Sequence, residues 1–176
     1  ESKIMRAGTF TAIGLFLLHR SSHLRDTLTV LQTGYQIGLE TGASEFSGYC
    51  GYGFCLNSFW CGETLLELES KILTYQENLR NINQLTAANY CSIFLEITQN
   101  LLYNEKENSD LDENPILAEV NISGDKTRLF YFYLHRMVSR FLLDEFNLAL
   151  EDPHQVKQYL KAGAGSIAEI QFYFYY

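Results

Sequence analysis

Four histidines, four cysteines and scattered carboxylates are the residues of this chain able to do chemistry. His19, His23, His135 and His154 are too widely spaced for an HExxH arrangement, in which two imidazoles on one helical face hold zinc. Asp110-Leu111-Asp112 opens like a calcium loop, whose alternating carboxylates would wrap a hard cation. However, Pro115 stands where the turn glycine belongs, and no glutamate follows at the twelfth position, so a solvated acidic stretch is expected. Cys50, Cys55, Cys61 and Cys91 show neither CxxC spacing nor the density of a disulfide scaffold, and they read as reduced core thiols in a cytoplasmic protein. No metal and no cofactor is expected on these grounds.

Nucleophiles and phosphate cradles are equally sparse. There is no GxSxG elbow, and the pairs Asp144-Glu145 and Glu151-Asp152 are sequence neighbours that point to different helix faces. Gly51-Tyr52-Gly53 lacks the third glycine of a dinucleotide fingerprint, and no GxxxxGK[ST] string occurs. Ser22-His23-Leu24-Arg25-Asp26-Thr27-Leu28 has the look of a phosphoacceptor helix, but no acidic residue follows the histidine and no proline closes the string, so His23 reads as a first-turn surface residue. With no catalytic constellation, the chain is not expected to be an enzyme. Aromatics are 14% of residues and fall mostly at helical spacing, as core residues do. Phe130-Tyr131-Phe132-Tyr133 covers every face of its helix, so one or two rings should line a groove. Tyr49, Phe54, Trp60, Tyr131 and Tyr133 are the candidate interaction surface, or the lining of a small-molecule pocket.

The elements that would position these residues are helices. With 47% apolar and 19% charged residues in 176, the chain can bury one core, and a single segment over residues 1–176 is expected. A net charge of −8 argues against nucleic acid as a ligand. Lys3 and Arg6 precede an apolar run from Gly8 to Leu18 that His19-Arg20 closes. It is too short for a membrane span and lacks a cleavage site, so a buried helix is expected and no membrane partner. Leu24, Leu28, Leu31, Tyr35 and Leu39 form one stripe, with Ser21 and Ser22 as cap candidates and Gly42 as the stop. Ser44 to Cys61 is apolar nearly all round, as in an enclosed helix that Gly62 ends. Leu65, Leu68, Ile72, Tyr75, Leu79 and Ile82 mark an amphipathic helix, and Gln84–Asn104 and Lys126–Leu150 read as two more. Gly34, Gly38 and Gly42 fall on one ridge, which lets a neighbouring helix approach closely.

Residues 105–125 carry seven acidic residues against one lysine and read as an acidic loop or insertion, with Ile116–Ile122 as a short extended piece. Asp152 before Pro153, and Ser166 with Glu169, are cap signatures that start two further helices. The expected fold is therefore all-α, with about eight helices. Helix starts near residues 2, 44, 84 and 126 recur at roughly 40 residues, within the span of helical-pair repeats. Five aromatics among the last seven residues read as an internal cut from a longer chain.

The string Tyr35-Gln36-Ile37-Gly38-Leu39-Glu40-Thr41-Gly42, continued by Glu45-Phe46, Gly48-Tyr49-Cys50, Ser58-Phe59, Leu65 to Glu69 and Gln158-Tyr159-Leu160, resembles the helical-repeat region of large cyanobacterial multi-domain signalling kinases. In those, a Ser/Thr kinase domain and an AAA-type ATPase module precede the repeats, and GAF and histidine-kinase domains follow. The resemblance implies a tetratricopeptide-like antiparallel helix-pair stack, an α-superhelix, and carries over no catalytic residue. The function it implies is a non-catalytic scaffold for protein partners or neighbouring domains of the same chain, or for conformational transmission. A small-molecule-sensing helical regulatory domain is the alternative.

Overall fold

The computed structural model describes residues 3–103 and 115–176, and every regular element among them is helical. The fold is all-α. By contacts it divides into two compact units, residues 1–95 and 96–176.

In the first unit, α1 (Lys3–Ala12) runs into a π-helical turn, Ile13–Leu17, and a 3-10 turn, Leu18–Arg20. The cap of α2 (Leu24–Thr41) is not one of the two expected serines. The 3-10 turn holds both back, with the Ser21 and Ser22 amides bonded to the Leu18 carbonyl. The extended residue is His23, whose Nδ1 accepts the Arg25 amide at 3.1 Å. Gly42, at φ 72°, ends the helix in the left-handed conformation that costs glycine nothing.

α3 (Ser44–Trp60) forms the centre of the unit, and every residue from Cys50 to Ser58 is buried. Its glycines explain how a helix can be surrounded so closely. A Cβ on Gly34 of α2 would stand 2.6 Å from Cys50 Sγ, one on Gly38 would collide with Ser47, and one on Gly53 would lie 2.5 Å from Leu15. Two of the three ridge glycines therefore serve close packing, and the third serves the stop. Asn57, buried in α3, donates to Thr27 Oγ1 at 2.8 Å and to the Gly14 carbonyl at 3.3 Å, so one amide ties α3 to α2 and satisfies a carbonyl of the π-helical turn. α4 (Leu65–Asn81) buries Leu68, Ile72 and Leu79 along the expected stripe. Gln76 on that stripe donates to Ser92 Oγ of α5 (Leu85–Tyr103) at 2.7 Å.

The second unit begins with the last turns of α5. The extended piece expected at Ile116–Ile122 is a helix, α6 (Pro115–Ser123). Proline suits a first helical turn, Leu117 and Val120 are buried on one face, and Gly124 at φ 68° stops it. Residues 105–114 of the expected acidic loop lie outside the described residues.

α7 (Lys126–Leu142) starts at Asp125, whose Oδ1 accepts the Thr127 and Arg128 amides, each at 3.0 Å. It does not run on to Leu150 as expected. Asp144 adopts φ 60°, the Glu145 amide bonds the Arg140 carbonyl at 2.8 Å, and the Asp144 amide bonds the Phe141 carbonyl, a Schellman closure with aspartate in the glycine position. α8 (Phe146–Ala149), α9 (Asp152–Tyr159), a 3-10 turn at Leu160–Gly163 and α10 (Ile167–Tyr175) complete the unit.

Asp152 is not the cap of α9. It is fully buried inside the helix, where Arg136 Nε reaches Oδ1 at 3.0 Å, Arg136 Nη2 bonds the same oxygen, and Arg140 Nη1 reaches Oδ2 at 2.9 Å. At α10 the expected capping box is displaced by one residue: Glu169 Oε2 accepts the Gly165 amide at 2.7 Å, while Ser166 Oγ donates to the Gly163 carbonyl.

Candidate functional site

Helical spacing places Glu45, Tyr49 and Tyr52 of α3 on one face, at i, i+4 and i+7. The turn after α4 brings a second set to them. Asn83 at φ 59° reverses the chain, with the Gln84 amide bonded to the Leu79 carbonyl at 2.8 Å, and α5 then sets out with Ala87 and Tyr90 facing α3. Between the first turns of α3 and α5 lies a cleft of about 380 Å³, walled by Glu45, Tyr49, Tyr52, Gln84, Ala87 and Tyr90.

The rings meet almost at right angles. Tyr52 and Tyr90 are 5.1 Å apart between centroids at 78°, and Tyr49 and Tyr52 are 6.4 Å apart at 83°. Tyr49 Oη donates to Glu45 Oε1 at 2.8 Å, and this bond, with smaller contributions from burial and from the carboxylate charge, raises the phenol above its ordinary pKa. Gln84 Nε2 donates to Ser44 Oγ at 3.3 Å, and its Oε1 is the atom that a Cβ on Gly48 would approach to 3.0 Å. Tyr49 is 39% exposed, whereas Tyr52 and Tyr90 are buried walls.

Of the five rings singled out from the sequence, Tyr49 alone lines this cleft. Phe54 is buried and stacked on Tyr75 at 4.8 Å, and Trp60 is half-buried with its ring against Phe59. In the second unit Tyr131 is buried between Phe130 and His135, and Tyr133 stacks on Tyr159 at 6.0 Å beneath the Arg136 guanidinium. Phe54, Tyr131 and Tyr133 are thus buried among neighbouring rings, and Trp60 is half-buried. Glu45, Tyr52, Gln84 and Tyr90 line the cleft without being among the candidates that the sequence points to. The helical register of Glu45, Tyr49 and Tyr52 was a readable signal, but Tyr90 and Gln84 join them only through the fold.

The second unit presents a different feature. Phe141, Phe146, Leu150 and Tyr175, over a floor of Met137 and Ala149, enclose an apolar groove of about 260 Å³. Phe146 is 50% and Leu150 77% exposed. Asp144 and Glu145 precede α8 and Glu151 follows it, so carboxylates flank the groove in sequence on both sides. Tyr176 also lines the groove, and Lys157 Nζ of α9 lies 3.8 Å from the centre of its ring.

His135, beside Tyr131, is buried, and its Nδ1 lies 2.8 Å from the Tyr131 carbonyl, which fixes the proton on that nitrogen. Burial pushes its pKa down to about 4, against the opposing pull of that carbonyl. The four cysteines are free thiols, three of them buried, and burial pushes Cys50 and Cys61 up to about 11. Among the described residues no three His, Cys, Asp or Glu side chains converge as a metal-binding group, and no helix is long and apolar enough to cross a membrane.

The described residues form an all-α fold with a tyrosine-lined cleft in the first unit and an apolar groove in the second. Compared with known proteins, the chain matches no family, no curated protein and no solved structure.

Proposed function

We propose that this chain is a non-catalytic helical scaffold of the cytoplasm whose second unit docks a basic, amphipathic helix of a protein partner. The observation that carries this reading is the groove at α8: large apolar side chains open to water, on a helix that Asp144, Glu145 and Glu151 flank in sequence, in a chain of net charge −8. Exposed apolar patches with polar rims mark interaction sites, and an apolar groove of this kind accepts the hydrophobic stripe of a helix. Asp144, Glu145 and Glu151 then select for lysine and arginine on the flanks of that stripe and steer its approach. A second copy of this chain, equally acidic, is the poorer occupant. The sequence resemblance to the helical-repeat region of signalling kinases supports the same role and supplies a setting, in which a tetratricopeptide-like stack of helix pairs would hold partners and pass on conformational change between domains.

The test uses a synthetic leucine-lysine peptide of helical period, titrated against the chain and against Phe146→Ser and Leu150→Ser variants. Saturable binding is expected, weakened about tenfold by either substitution at the centre of the groove and weakened again by salt. Equal binding by the variants, or equal binding of a leucine-glutamate peptide of the same period, would remove the reading.

A further inference from the structure

Little of its own substance holds α8 in place. It is a single turn, and one turn fixes its backbone at a cost that its few hydrogen bonds do not offset. Of its four residues only Ala149 is buried, while Phe146 and the Leu150 that follows, both at the groove, are open to water. Apolar burial therefore does not seat the turn. Two polar attachments to α7 bracket it instead.

On the N-terminal side the Glu145 amide closes on the Arg140 carbonyl at 2.8 Å. On the C-terminal side stands Asp152, fully buried at the start of α9. Arg136 and Arg140, at i and i+4, share one face of α7. Arg136 takes Oδ1, with Nε at 3.0 Å and Nη2 on the same oxygen, and Arg140 takes Oδ2, with Nη1 at 2.9 Å. With each oxygen on a different guanidinium, the carboxylate cannot turn without breaking a charged hydrogen bond. The same Nη1 of Arg140 lies 3.5 Å from the Leu148 carbonyl, so one side chain of α7 reaches both α8 and the helix after it. Arg136 is set in its turn by rings, its guanidinium carbon 5.0 Å from the centre of Tyr133 and 5.4 Å from that of Phe132.

This cluster adjoins the groove. Met137 and Phe141 directly follow Arg136 and Arg140 in α7, Pro153 directly follows Asp152, and all three line the groove. Apolar residues of similar volume would serve stability about as well as three buried charges. What apolar contacts lack is direction: they let a short turn slide, whereas hydrogen bonds weaken steeply when their atoms are displaced.

We propose that Arg136, Arg140 and Asp152 are positioning residues of the groove: they fix α8 and the start of α9 on α7, so that Phe146 and Leu150 stand as its walls. The consequence for binding rests on the docking function proposed above; the ordering of α8 does not.

The test variant carries Arg136→Met, Arg140→Met and Asp152→Leu together, leaving the cluster no charge. Urea denaturation should place its stability near that of the parent chain. Native-state hydrogen exchange should nevertheless be about tenfold or more faster at the amides of Ala149, Leu150 and Glu151, which close α8, and unchanged at Leu134 and Val138 within α7. The leucine-lysine peptide should bind about tenfold more weakly, because the groove is no longer preorganised. Asp152→Asn, which keeps the shape of the side chain, is the second variant, and exchange should quicken at the same three amides by a larger factor than in α7. A cluster that only adds stability would speed exchange in both helices alike, and the triple variant would restore both. Exchange at α8 within about twofold of the parent in the triple variant, or equal acceleration of α7 and α8 in Asp152→Asn, would overturn the proposal. If the peptide fails to bind the parent chain, the docking function falls, and exchange at α8 still decides whether the cluster positions the turn.

Discussion

Helices α3 and α7 are both enclosed over more than two turns, Cys50–Ser58 in one and Arg128–Arg140 in the other, and they are built from opposite materials. The buried stretch of α3 holds no charge. Neighbouring helices close on it because glycines and small side chains let backbones approach, at a cost of about 1 kcal/mol of helix propensity for each glycine. The buried stretch of α7 holds Arg128, His135, Arg136 and Arg140 among its aromatics. Here desolvation is the cost, and partners elsewhere in the unit offset it: Asp152 for Arg136 and Arg140, and Glu119 for Arg128 at 3.0 Å. Absence of charge is thus one route to an enclosed helix, and compensated charge is another that sequence patterns hide.

The contrast is sharpest at Asp152. Removing it takes the carboxylate from beside two buried guanidinium groups, so Asp152→Ala should lower the free energy of unfolding by about 3–5 kcal/mol, measured by urea denaturation followed by circular dichroism. Replacing Asp152, Arg136 and Arg140 together with apolar residues of similar volume should recover most of that loss, because no unpaired charge then stays buried. A loss under about 1 kcal/mol for Asp152→Ala would rank the cluster with exposed ion pairs and erase the difference between the two helices.

His135 gives a charge-dependent test that α3 has no means of matching. Its native pKa, about 4, lies below the unfolded value of 6.5. Between those values the unfolded chain binds more protons than the folded one, so stability rises with pH across the window. The contribution is fully present above about pH 6.5 and is lost as pH falls through about 4, a change on the order of 3 kcal/mol. His135→Gln cannot take up that proton, so its stability should fall less than that of the parent chain between pH 7 and pH 4. Parallel pH profiles for the two would mean that His135 takes up its proton in the folded chain as readily as in the unfolded one, and that burial does not depress its pKa.

Much of the helical order was legible because it is written in local periods and punctuation. The stripes of α2 and α4, and the stops at Gly42 and Gly62, coincide with the observed elements and with positive φ at both glycines. What stayed hidden depends on exceptions to that grammar or on distance. Asp144 ends α7 in a conformation normally left to glycine, so the expected helix ran on to Leu150. Pro115 and Gly124 bracket α6, but acidic composition outweighed them. Asp152 has the local look of a cap, and its partners stand 16 and 12 residues upstream. At the site, Tyr49 was legible as an aromatic on a crowded helix, whereas Phe54, Tyr131 and Tyr133 turn inward, where most aromatic area goes, and Trp60 is half-buried. Tyr90 becomes the third wall only once α4 and α5 have folded back against α3.

The smallest expected effect tests the other half of the contrast. In Gly34→Ala the new methyl group would lie 2.6 Å from Cys50 Sγ and 2.7 Å from Phe10 Cβ. Neither atom can easily give way. Phe10 Cβ is fixed to the backbone of α1, and Cys50 Sγ is engaged by Thr11 Oγ1 at 3.2 Å. Alanine gains about 1 kcal/mol of helix propensity over glycine, while overpacking a tight interface costs about 1–3 kcal/mol. The substitution should therefore be net destabilising by about 1 kcal/mol, read from denaturation followed through the fluorescence of Trp60, the single tryptophan. Stability equal to or above that of the parent chain would mean that α1, α2 and α3 have room to spare. The glycines would then be no part of how α3 is enclosed.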